Sequence, residues 1–385
     1  MERVITQKDS FVSAALYMSV VGPAVFIVQP GLVQAFVTHL GFSEQQAGVI
    51  AATEMWGIAF STVVMIALAG RISYHFILRA ALSVMIVGNV VSSFLHGFEV
   101  FLMARLAVGV GSGVLVSLGF IIIGKSSNPD RNFGYLVMWV LLFGAVILSV
   151  MPKILNTFGM GGMLTVFTLM YLIMMPLVGR LPQTISLSSA PKMRDVLNVT
   201  GLGRVLLIIG VLIFFTGVGV IWTYLSLMGA QTGASEQNVA FVLTGSQLIG
   251  AGGALFAAII GGRFGRFSPT LTALVLCMFP VVILLNPQHF ILYIVAVCVF
   301  NFSYNFFHPF SYGILAVADS SAELIKFAVA AQMLGLAIGP SVAAMVVSGG
   351  GYDRVLLVSA SLFVLTFLAF CVPVFQLASK RLLQA

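Results

Sequence analysis

Charged side chains are scarce in this sequence. Of its 385 residues, 18 are Lys or Arg and 11 are Asp or Glu, together 8%, whereas 60% are hydrophobic. A soluble domain carries about 25% charged residues, so this chain lacks the polar side chains that a water-facing surface requires. The composition excludes a soluble enzyme, a nucleic-acid-binding protein and a disordered chain, and it indicates a polytopic membrane protein.

Cysteines and cofactor motifs are also sparse. Cys277, Cys298 and Cys371 lie in apolar stretches without CxxC spacing, so neither a metal site nor a disulfide framework is indicated. The sequence has no P-loop and no complete GxSxG nucleophile elbow, and we expect no cofactor. An intramembrane enzyme would need clustered His, Asp or Cys residues at one depth, whereas the five histidines are dispersed. A sensor would need a soluble output domain, and none is indicated, so we expect no enzyme and no sensor.

Long apolar runs are what the chain has in abundance. They are continuous rather than alternating over ~10 residues, which excludes an outer-membrane barrel and predicts all-α structure with helices of roughly 20 residues. The first run is too long for a cleaved signal peptide and is expected to be a retained span. Twelve spans are predicted, near 11–37, 44–70, 77–97, 99–124, 132–155, 160–179, 204–229, 237–261, 268–286, 289–317, 323–348 and 354–378. We predict an N-terminal six-helix half over 1–180, a cytoplasmic linker over 181–203 and a C-terminal six-helix half over 204–385.

Basic residues lie almost entirely on one side of these spans. With the N-terminus inside, only Lys153 and Arg354 fall outside, and Arg105 falls within a span. The other fifteen are on the inner side: Arg3, Lys8, Arg71, Arg79, Lys125, Arg131, Arg180, Lys192, Arg194, Arg204, Arg263, Arg266, Lys326, Lys380 and Arg381. Because cytoplasmic loops are rich in Lys and Arg, both termini are predicted to be cytoplasmic in a cell membrane, the inner membrane of a bacterium. The net charge of +7 therefore reflects orientation and does not point to nucleic acid.

An internal repeat divides the chain into two similar halves. Segment 41–46, Gly-Phe-Ser-Glu-Gln-Gln, resembles segment 233–238, Gly-Ala-Ser-Glu-Gln-Asn, at an offset of 192 residues. The same offset carries Gly70-Arg71 onto Gly262-Arg263. The offset is almost half of the chain length, which indicates a duplicated six-helix unit.

Several motifs resemble those of the major facilitator superfamily of secondary transporters, and the resemblance extends over essentially the whole chain. Segment 70–79 lies where that family has a Gly-x-Leu-x-Asp-Arg-x-Gly-Arg-Arg motif, with Tyr74 in place of the acid. Segment 105–113 matches an Arg-x-x-x-Gly-x-Gly pattern, and span 5 lacks the Gly-Pro-rich motif of the family's drug/proton antiporters. The resemblance implies a fold of two pseudo-symmetric halves, alternating access around a central cavity, and conformational roles for Gly70, Arg71, Arg79, Gly109, Gly113, Arg263, Gly265, Arg266, Gly339 and Pro340.

Two ionisable residues other than histidine clearly lie within the predicted spans. Glu54 is ten residues into span 2, about 15 Å deep, and Arg105 is some six residues into span 4. Inserting a charged residue at that depth costs at least about 2.5–3.5 kcal/mol of free energy, so we expect it to have either a stabilising partner or a functional role. Burial disfavours a charged carboxyl group and a nearby cation favours it, which makes Glu54 the candidate proton-coupling group, with Arg105 and His308 as further candidates. The alternative is a permanent Glu54–Arg105 ion pair, and the repeat places Ser246 at the position equivalent to Glu54.

Span 10 carries the densest polar cluster. Asn301, Asn305, His308 and Tyr312 follow one another at helical spacing, with Tyr304 among them. Since such a stripe would be unsatisfied in lipid, we expect it to face the bundle interior or a water-filled cavity and to bind substrate. The alternative is hydrogen bonding between helices. Further single candidates for substrate binding are Gln29, Trp222, Gln247 and Gln332.

The function predicted is secondary active transport of a small amphipathic or aromatic organic solute, with a preference for an organic anion, driven by protons. The alternative is a proton/drug antiporter that exports lipophilic compounds. The expected partners are the substrate, protons and the lipid bilayer, and we expect a monomer.

Overall fold

The structure is a computed structural model that describes residues 2–68, 72–95, 97–124, 126–183, 200–261, 263, 267–285, 289–318, 323–347 and 351–382. Within these ranges the regular elements are helices, and no strand occurs. Contacts between the helices divide the chain into two units, Met1–Ser188 and Ser189–Ala385. The predicted linker lies largely outside the described residues, so its bounds stay a prediction.

The first unit contains spans 1 to 6. Span 1 is built from three helices, and the other spans follow with short connections. A 3₁₀ turn, Val178–Arg180, ends the last of them. The helices are Glu2–Val21, Ala24–Ile27, Gln29–Thr38, Glu44–Leu68, Tyr74–Phe94, Phe98–Gly124 and Pro129–Leu177.

Glycine and proline explain the irregular helices of this unit. Span 1 is interrupted at Gly22-Pro23 and again before Pro30, because proline lacks a backbone N–H and favours the first turn of a new helix. Helix Pro129–Leu177 comprises spans 5 and 6, which meet at Gly159. This residue has φ 64° and ψ −167°, a conformation that is essentially restricted to glycine.

The second unit contains spans 7 to 12. Span 9 is divided in two at Cys277, and span 10 continues through Pro309. The helices are Gly201–Ala230, Glu236–Ile260, Phe267–Leu276, Met278–Leu284, Phe290–Ala318, Glu323–Val347 and Gly351–Leu382.

The helices are long and apolar enough to cross a membrane. Nine segments in the described ranges meet this criterion, and one of them, Arg131–Arg180, has 50 residues and provides two spans. The shorter apolar helices Phe11–Val21 and Ser268–Leu284 belong to the interrupted spans 1 and 9. The predicted all-α architecture of twelve spans is thus confirmed.

Span 4 is the central helix of the first unit. A Cβ atom on Gly109 would lie 2.1 Å from the carbonyl oxygen of Glu54 on span 2, and one on Gly113 would lie 2.3 Å from that of Ile58. On another face the Ser112 hydroxyl donates a hydrogen bond to the carbonyl oxygen of Gly22 on span 1. The glycines therefore let the backbones of spans 2 and 4 touch, as small residues do in membrane helix pairs.

The second unit repeats this contact at the offset of 192 residues. Spans 8 and 10 take the places of spans 2 and 4, but here the small residues lie on span 8. A Cβ atom on Gly250 would lie 2.7 Å from Nδ2 of Asn305, and one on Gly253 would lie 2.4 Å from the carbonyl oxygen of Phe302. The close contact between the two helices therefore occurs in both units, but different residues form it.

Candidate functional site

Arg105 is a buried charge of the first unit that is bonded to neutral side chains of span 3. Its side chain is 1% exposed, and its Nη2 donates hydrogen bonds to Asn89 Oδ1 at 2.7 Å and to Ser92 Oγ at 3.0 Å. The guanidinium carbon also lies 5.6 Å from the centre of the Phe101 ring. Asn89 and Ser92 both lie on span 3, so neutral groups of that helix hold the arginine in place.

Glu54 faces this arginine without a close bond to it. Its Oε1 lies 3.9 Å from Arg105 Nη1, beyond hydrogen-bond distance, and within the described part of the chain this oxygen has no hydrogen-bond partner. The residue is 1% exposed. The carboxyl group is therefore buried beside a cation whose short hydrogen bonds are made to Asn89 and Ser92. Such a group can gain or lose a proton without breaking the hydrogen bonds that Arg105 Nη2 donates to Asn89 and Ser92.

Two tyrosines extend this cluster. Tyr171 on span 6 is fully buried, interacts electrostatically with Glu54 and Arg105, and has a hydroxyl without a hydrogen-bond partner among the described residues. Tyr17 on span 1 is half-buried and donates a hydrogen bond of 3.1 Å to the carbonyl oxygen of Met170. Tyr171 thus interacts with the acid–arginine pair from a span that contributed no residue to the predicted site, and Tyr17 in turn interacts with Tyr171.

A cavity of about 490 Å³ lies beside Tyr17. Its wall is formed by spans 1, 5 and 6 and is apolar apart from Ser13 and the two aromatic residues with polar atoms. The lining includes Ser13, Leu16, Tyr17, Trp139, Phe143 and Met170. This composition is typical of a pocket for an apolar or aromatic group.

Gln29 is a second buried polar group of the first unit. It is 2% exposed, and neither its Oε1 nor its Nε2 has a hydrogen-bond partner within the described ranges. It begins the third helix of span 1, directly after the interruption at Val28. A buried primary amide without partners is costly, so it remains a candidate for binding a polar atom of a substrate.

In the second unit the predicted polar stripe of span 10 falls into two groups. Asn301 is buried, and its Nδ2 donates to Ser246 Oγ on span 8 at 3.0 Å and to its own helix at Val297. Asn305 donates from Nδ2 to the carbonyl oxygen of Asn301 at 2.9 Å. For this end of the stripe the geometry favours the alternative reading, hydrogen bonding that joins spans 8 and 10.

The other end of the stripe is an aromatic cluster. The ring centre of His308 lies 5.4 Å from that of Phe215 on span 7 and 4.9 Å from that of Tyr312. The Tyr312 hydroxyl donates a hydrogen bond to Gln332 Oε1 on span 11, and Gln332 also interacts with His308. Tyr304 stacks on His308 with ring centres 6.4 Å apart. The cluster therefore brings together three predicted substrate residues of span 10 and one of span 11.

The remaining single candidates are more scattered. Trp222 and Gln247 are buried on spans 7 and 8. Whether they bind substrate stays a prediction.

The motif residues are only partly described. Gly70, Arg71, Gly265 and Arg266 lie outside the described residues. Arg79 is exposed in the second turn of span 3, and Arg263 is exposed in the turn that follows span 8. A Cβ atom on Gly339 would lie 2.7 Å from Cα of Gly219, so this glycine lets spans 7 and 11 touch, and Pro340 is buried at the same contact.

Sequence reasoning missed part of the first cluster. Asn89 and Ser92 lie three residues apart on span 3, and Tyr171 lies on span 6 in an apolar run, so no spacing along the chain connects all three to Arg105. A search for every polar residue on the span that adjoins Arg105 would have found Asn89 and Ser92. No sequence signal links Tyr171 to Glu54.

Comparison with known proteins gives consistent matches. A family model, that of the Major Facilitator Superfamily, matches residues 14–322. A curated relative, an uncharacterized MFS-type transporter named YbcL from Bacillus subtilis (strain 168), is 25% identical over 138 residues, which is 36% of this chain and 35% of the relative. The chain thus spans about a third of the length of that relative.

Solved structures resemble the fold more completely. A mutant of the nucleoside transporter NupG has a TM-score of 0.76 at 13% identity, over 94% of this chain and 98% of the other. A D-xylose–proton symporter also has a TM-score of 0.76, at 16% identity over 94% and 97%. A mutant of the peptide transporter POT, in complex with alafosfalin, has a TM-score of 0.73 at 10% identity over 94% and 93%. At these identities the likeness establishes the fold alone.

Proposed function

Because the chain belongs to the Major Facilitator Superfamily, we propose that it is a secondary active transporter driven by protons, with Glu54 as the group that binds the coupling proton. The observation that carries this proposal is the geometry of the buried pair. Arg105 donates from Nη2 to Asn89 and Ser92, while its Nε has no hydrogen-bond partner among the described residues, and Glu54 Oε1 has only a 3.9 Å contact with the guanidinium.

The geometry of the pair argues against a purely static ion bridge. A structural pair in a low-dielectric interior is held by short, charge-assisted hydrogen bonds of about 2.7–2.9 Å, and those of Arg105 go to neutral partners. Protonation of Glu54 at Oε1 then removes one charge, and this oxygen has no hydrogen bond to lose among the described residues. A proton-coupled symporter among the structures of similar fold, the D-xylose–proton symporter, is consistent with this energy source.

The solute we propose is a small amphipathic or aromatic organic compound. The cluster around His308 provides aromatic faces from Tyr304 and Phe215 together with the polar atoms of Tyr312 and Gln332. Such a lining suits a ring that carries one or two hydrogen-bonding groups. An organic anion is the preferred class because Arg105 and His308 are basic groups of the candidate clusters.

A second candidate function is export of lipophilic compounds in exchange for protons. The apolar cavity beside Tyr17 and Trp139 favours it, because its wall offers aromatic and aliphatic surface and few polar atoms. The two functions differ in the charge of the substrate and in the direction in which it is transported.

We further propose that the protein lies in the inner membrane of a bacterium with both termini in the cytoplasm. The asymmetric distribution of basic residues supports this orientation.

Transport by purified protein in liposomes tests the proposal. Organic acids and lipophilic cations are offered in turn under an imposed pH gradient, with wild type, Glu54→Gln and a control variant, Glu236→Gln, which removes an acid at the start of span 8. We expect Glu54→Gln to lose the dependence of uphill transport on the pH gradient while the control keeps it. Undiminished pH-driven accumulation by Glu54→Gln would show that the coupling role is wrong.

A further inference from the structure

The cavity beside Tyr17 lies apart from both candidate clusters. Its volume is about 490 Å³, and it is bordered by spans 1, 5 and 6 of the first unit. Neither Glu54 nor Arg105 lines it, and the cluster around His308 belongs to the second unit. The cavity is therefore a separate feature whose occupant has to be inferred from its own wall.

The residues of the wall lie at a similar depth in the membrane. In the predicted topology, Tyr17 is six residues from the inner end of span 1, Trp139 is seven from that of span 5, and Met170 is nine from that of span 6. At 1.5 Å per residue these positions are about 9–14 Å deep. The Tyr17 hydroxyl donates its hydrogen bond to the Met170 carbonyl oxygen at 3.1 Å and so joins two of the spans at this level. The three helices thus form one site in the cytoplasmic half of the membrane.

The wall favours an aromatic ring. Trp139 and Phe143 are four residues apart on span 5, so their side chains share one face of that helix, and Tyr17 adds a third ring from span 1. The rest of the wall consists of aliphatic side chains, Met170 and Ser13. Aromatic rings prefer such neighbours in offset or edge-to-face arrangements. The volume is within the range of small-molecule pockets and accommodates a fused bicyclic ring.

Charge and hydrogen bonding narrow the class of ligand further. None of the eleven residues of this wall is charged, and a charged group without a partner is strongly disfavoured in apolar surroundings. The Tyr17 hydroxyl uses its hydrogen in the bond to Met170, so its oxygen can still accept a hydrogen bond. A ligand with an N–H or O–H donor is therefore favoured over one without a donor.

We propose that this cavity binds one uncharged aromatic compound with an N–H or O–H donor, such as an indole or a phenol. The donor lies at the Tyr17 hydroxyl oxygen, and the ring packs against Trp139 and Phe143. The inference goes beyond the proposed function, because binding at equilibrium requires neither a pH gradient nor a proton on Glu54.

Quenching of tryptophan fluorescence tests this binding on the purified full chain. The chain has three tryptophans, so Trp56→Phe/Trp222→Phe leaves Trp139 as the only one. The probes are 5-nitroindole, which is uncharged and has an N–H donor, 1-methyl-5-nitroindole, which lacks the donor, and 5-nitroindole-2-carboxylate, which is charged. We expect saturable quenching by 5-nitroindole. The methylated probe should bind about fivefold more weakly, as the loss of one neutral hydrogen bond implies, and the carboxylate at least about tenfold more weakly.

Variants of the wall separate the hydrogen bond from the space. In the same background, Tyr17→Phe should weaken the binding of 5-nitroindole about fivefold and leave that of the methylated probe unchanged. Val146→Phe fills the cavity and should abolish saturable quenching. Val137→Phe is the matched control, since it makes the same substitution at an exposed position of span 5 outside the wall, and it should retain the quenching.

Three outcomes would overturn the proposal. Quenching that rises linearly with every probe would show that the probes only partition into detergent. Equal binding by Val146→Phe and Val137→Phe would place the probe elsewhere. Equal weakening of both indoles by Tyr17→Phe would give that residue a structural role only. None of these outcomes bears on proton coupling, because the titrations are made without a pH gradient, and a failure of the coupling role of Glu54 in liposomes would leave this binding unaffected.

Discussion

Gly109→Ala tests how closely spans 2 and 4 must approach. The added Cβ atom would lie 2.1 Å from the carbonyl oxygen of Glu54, about 1.3 Å short of an ordinary contact near 3.4 Å. Because the atom it meets belongs to the backbone, no side-chain rotation relieves the clash and span 2 must move. Overpacking of this kind costs about 1–3 kcal/mol, whereas alanine alone would favour a helix by about 0.5–1 kcal/mol. The clash should therefore dominate.

Thermal unfolding in detergent measures the outcome, with tryptophan fluorescence as the signal. The helix preference of alanine reduces the net cost to at most about 2.5 kcal/mol, so at roughly 2–4 °C per kcal/mol Gly109→Ala should lower the unfolding midpoint by up to about 10 °C. Gly245→Ala and Gly252→Ala are the controls, since an added Cβ at either helical position meets no atom within 4 Å, and both should unfold at or above the wild-type temperature. If Gly109→Ala unfolds no lower than these controls, the proposed backbone contact does not exist.

Three further predictions concern single side chains. Arg105→Leu should lower the free energy of unfolding by about 3–5 kcal/mol, because Glu54 would be left buried without a cation; a monodisperse, wild-type-like melting curve would contradict this. If Asn301 joins spans 8 and 10, Asn301→Ala should lower the free energy of unfolding by about 0.6–1.7 kcal/mol and leave the apparent substrate affinity unchanged. A large loss of affinity in liposome transport would show instead that Asn301 binds substrate. Tyr171→Phe removes a buried hydroxyl that has no hydrogen-bond partner among the described residues, so it should raise the free energy of unfolding by up to about 1–3 kcal/mol. It should also alter the pH dependence of transport, and an unchanged pH profile would exclude a part in coupling.

The parts of the fold that follow from hydrophobic length were predictable from the sequence. Each span requires roughly 20 apolar residues, and runs of that length are visible without any knowledge of packing. Even the interruptions at Pro23 and Pro30 have a local cause, because proline removes a backbone donor wherever it occurs. The position of Glu54 and Arg105 within their spans was predictable for the same reason.

The partners of these residues were not predictable, because they depend on which helices lie side by side. The alternative of a simple Glu54–Arg105 pair assigned the guanidinium to the acid, whereas its 2.7 Å hydrogen bond goes to Asn89 on span 3. Likewise, helical spacing placed Asn301 and His308 on one stripe, but Asn301 meets span 8 while His308 meets spans 7 and 11. Spacing along one helix predicts which residues share a face, whereas their contacts depend on which helices pack against that face.

The repeat gives a physical reason for the difference between the two units. Position 109 is glycine in the first unit, and its equivalent at the offset of 192 is Asn301, while Glu54 corresponds to Ser246. In the second unit the contact between spans 8 and 10 includes a neutral hydrogen bond, which a change of protonation in the physiological range leaves intact. In the first unit the equivalent helices touch through glycine, and the carboxyl group of Glu54 is left without such a bond at Oε1 in the described structure. If one unit of this transporter responds to protons, the architecture therefore assigns that response to the first.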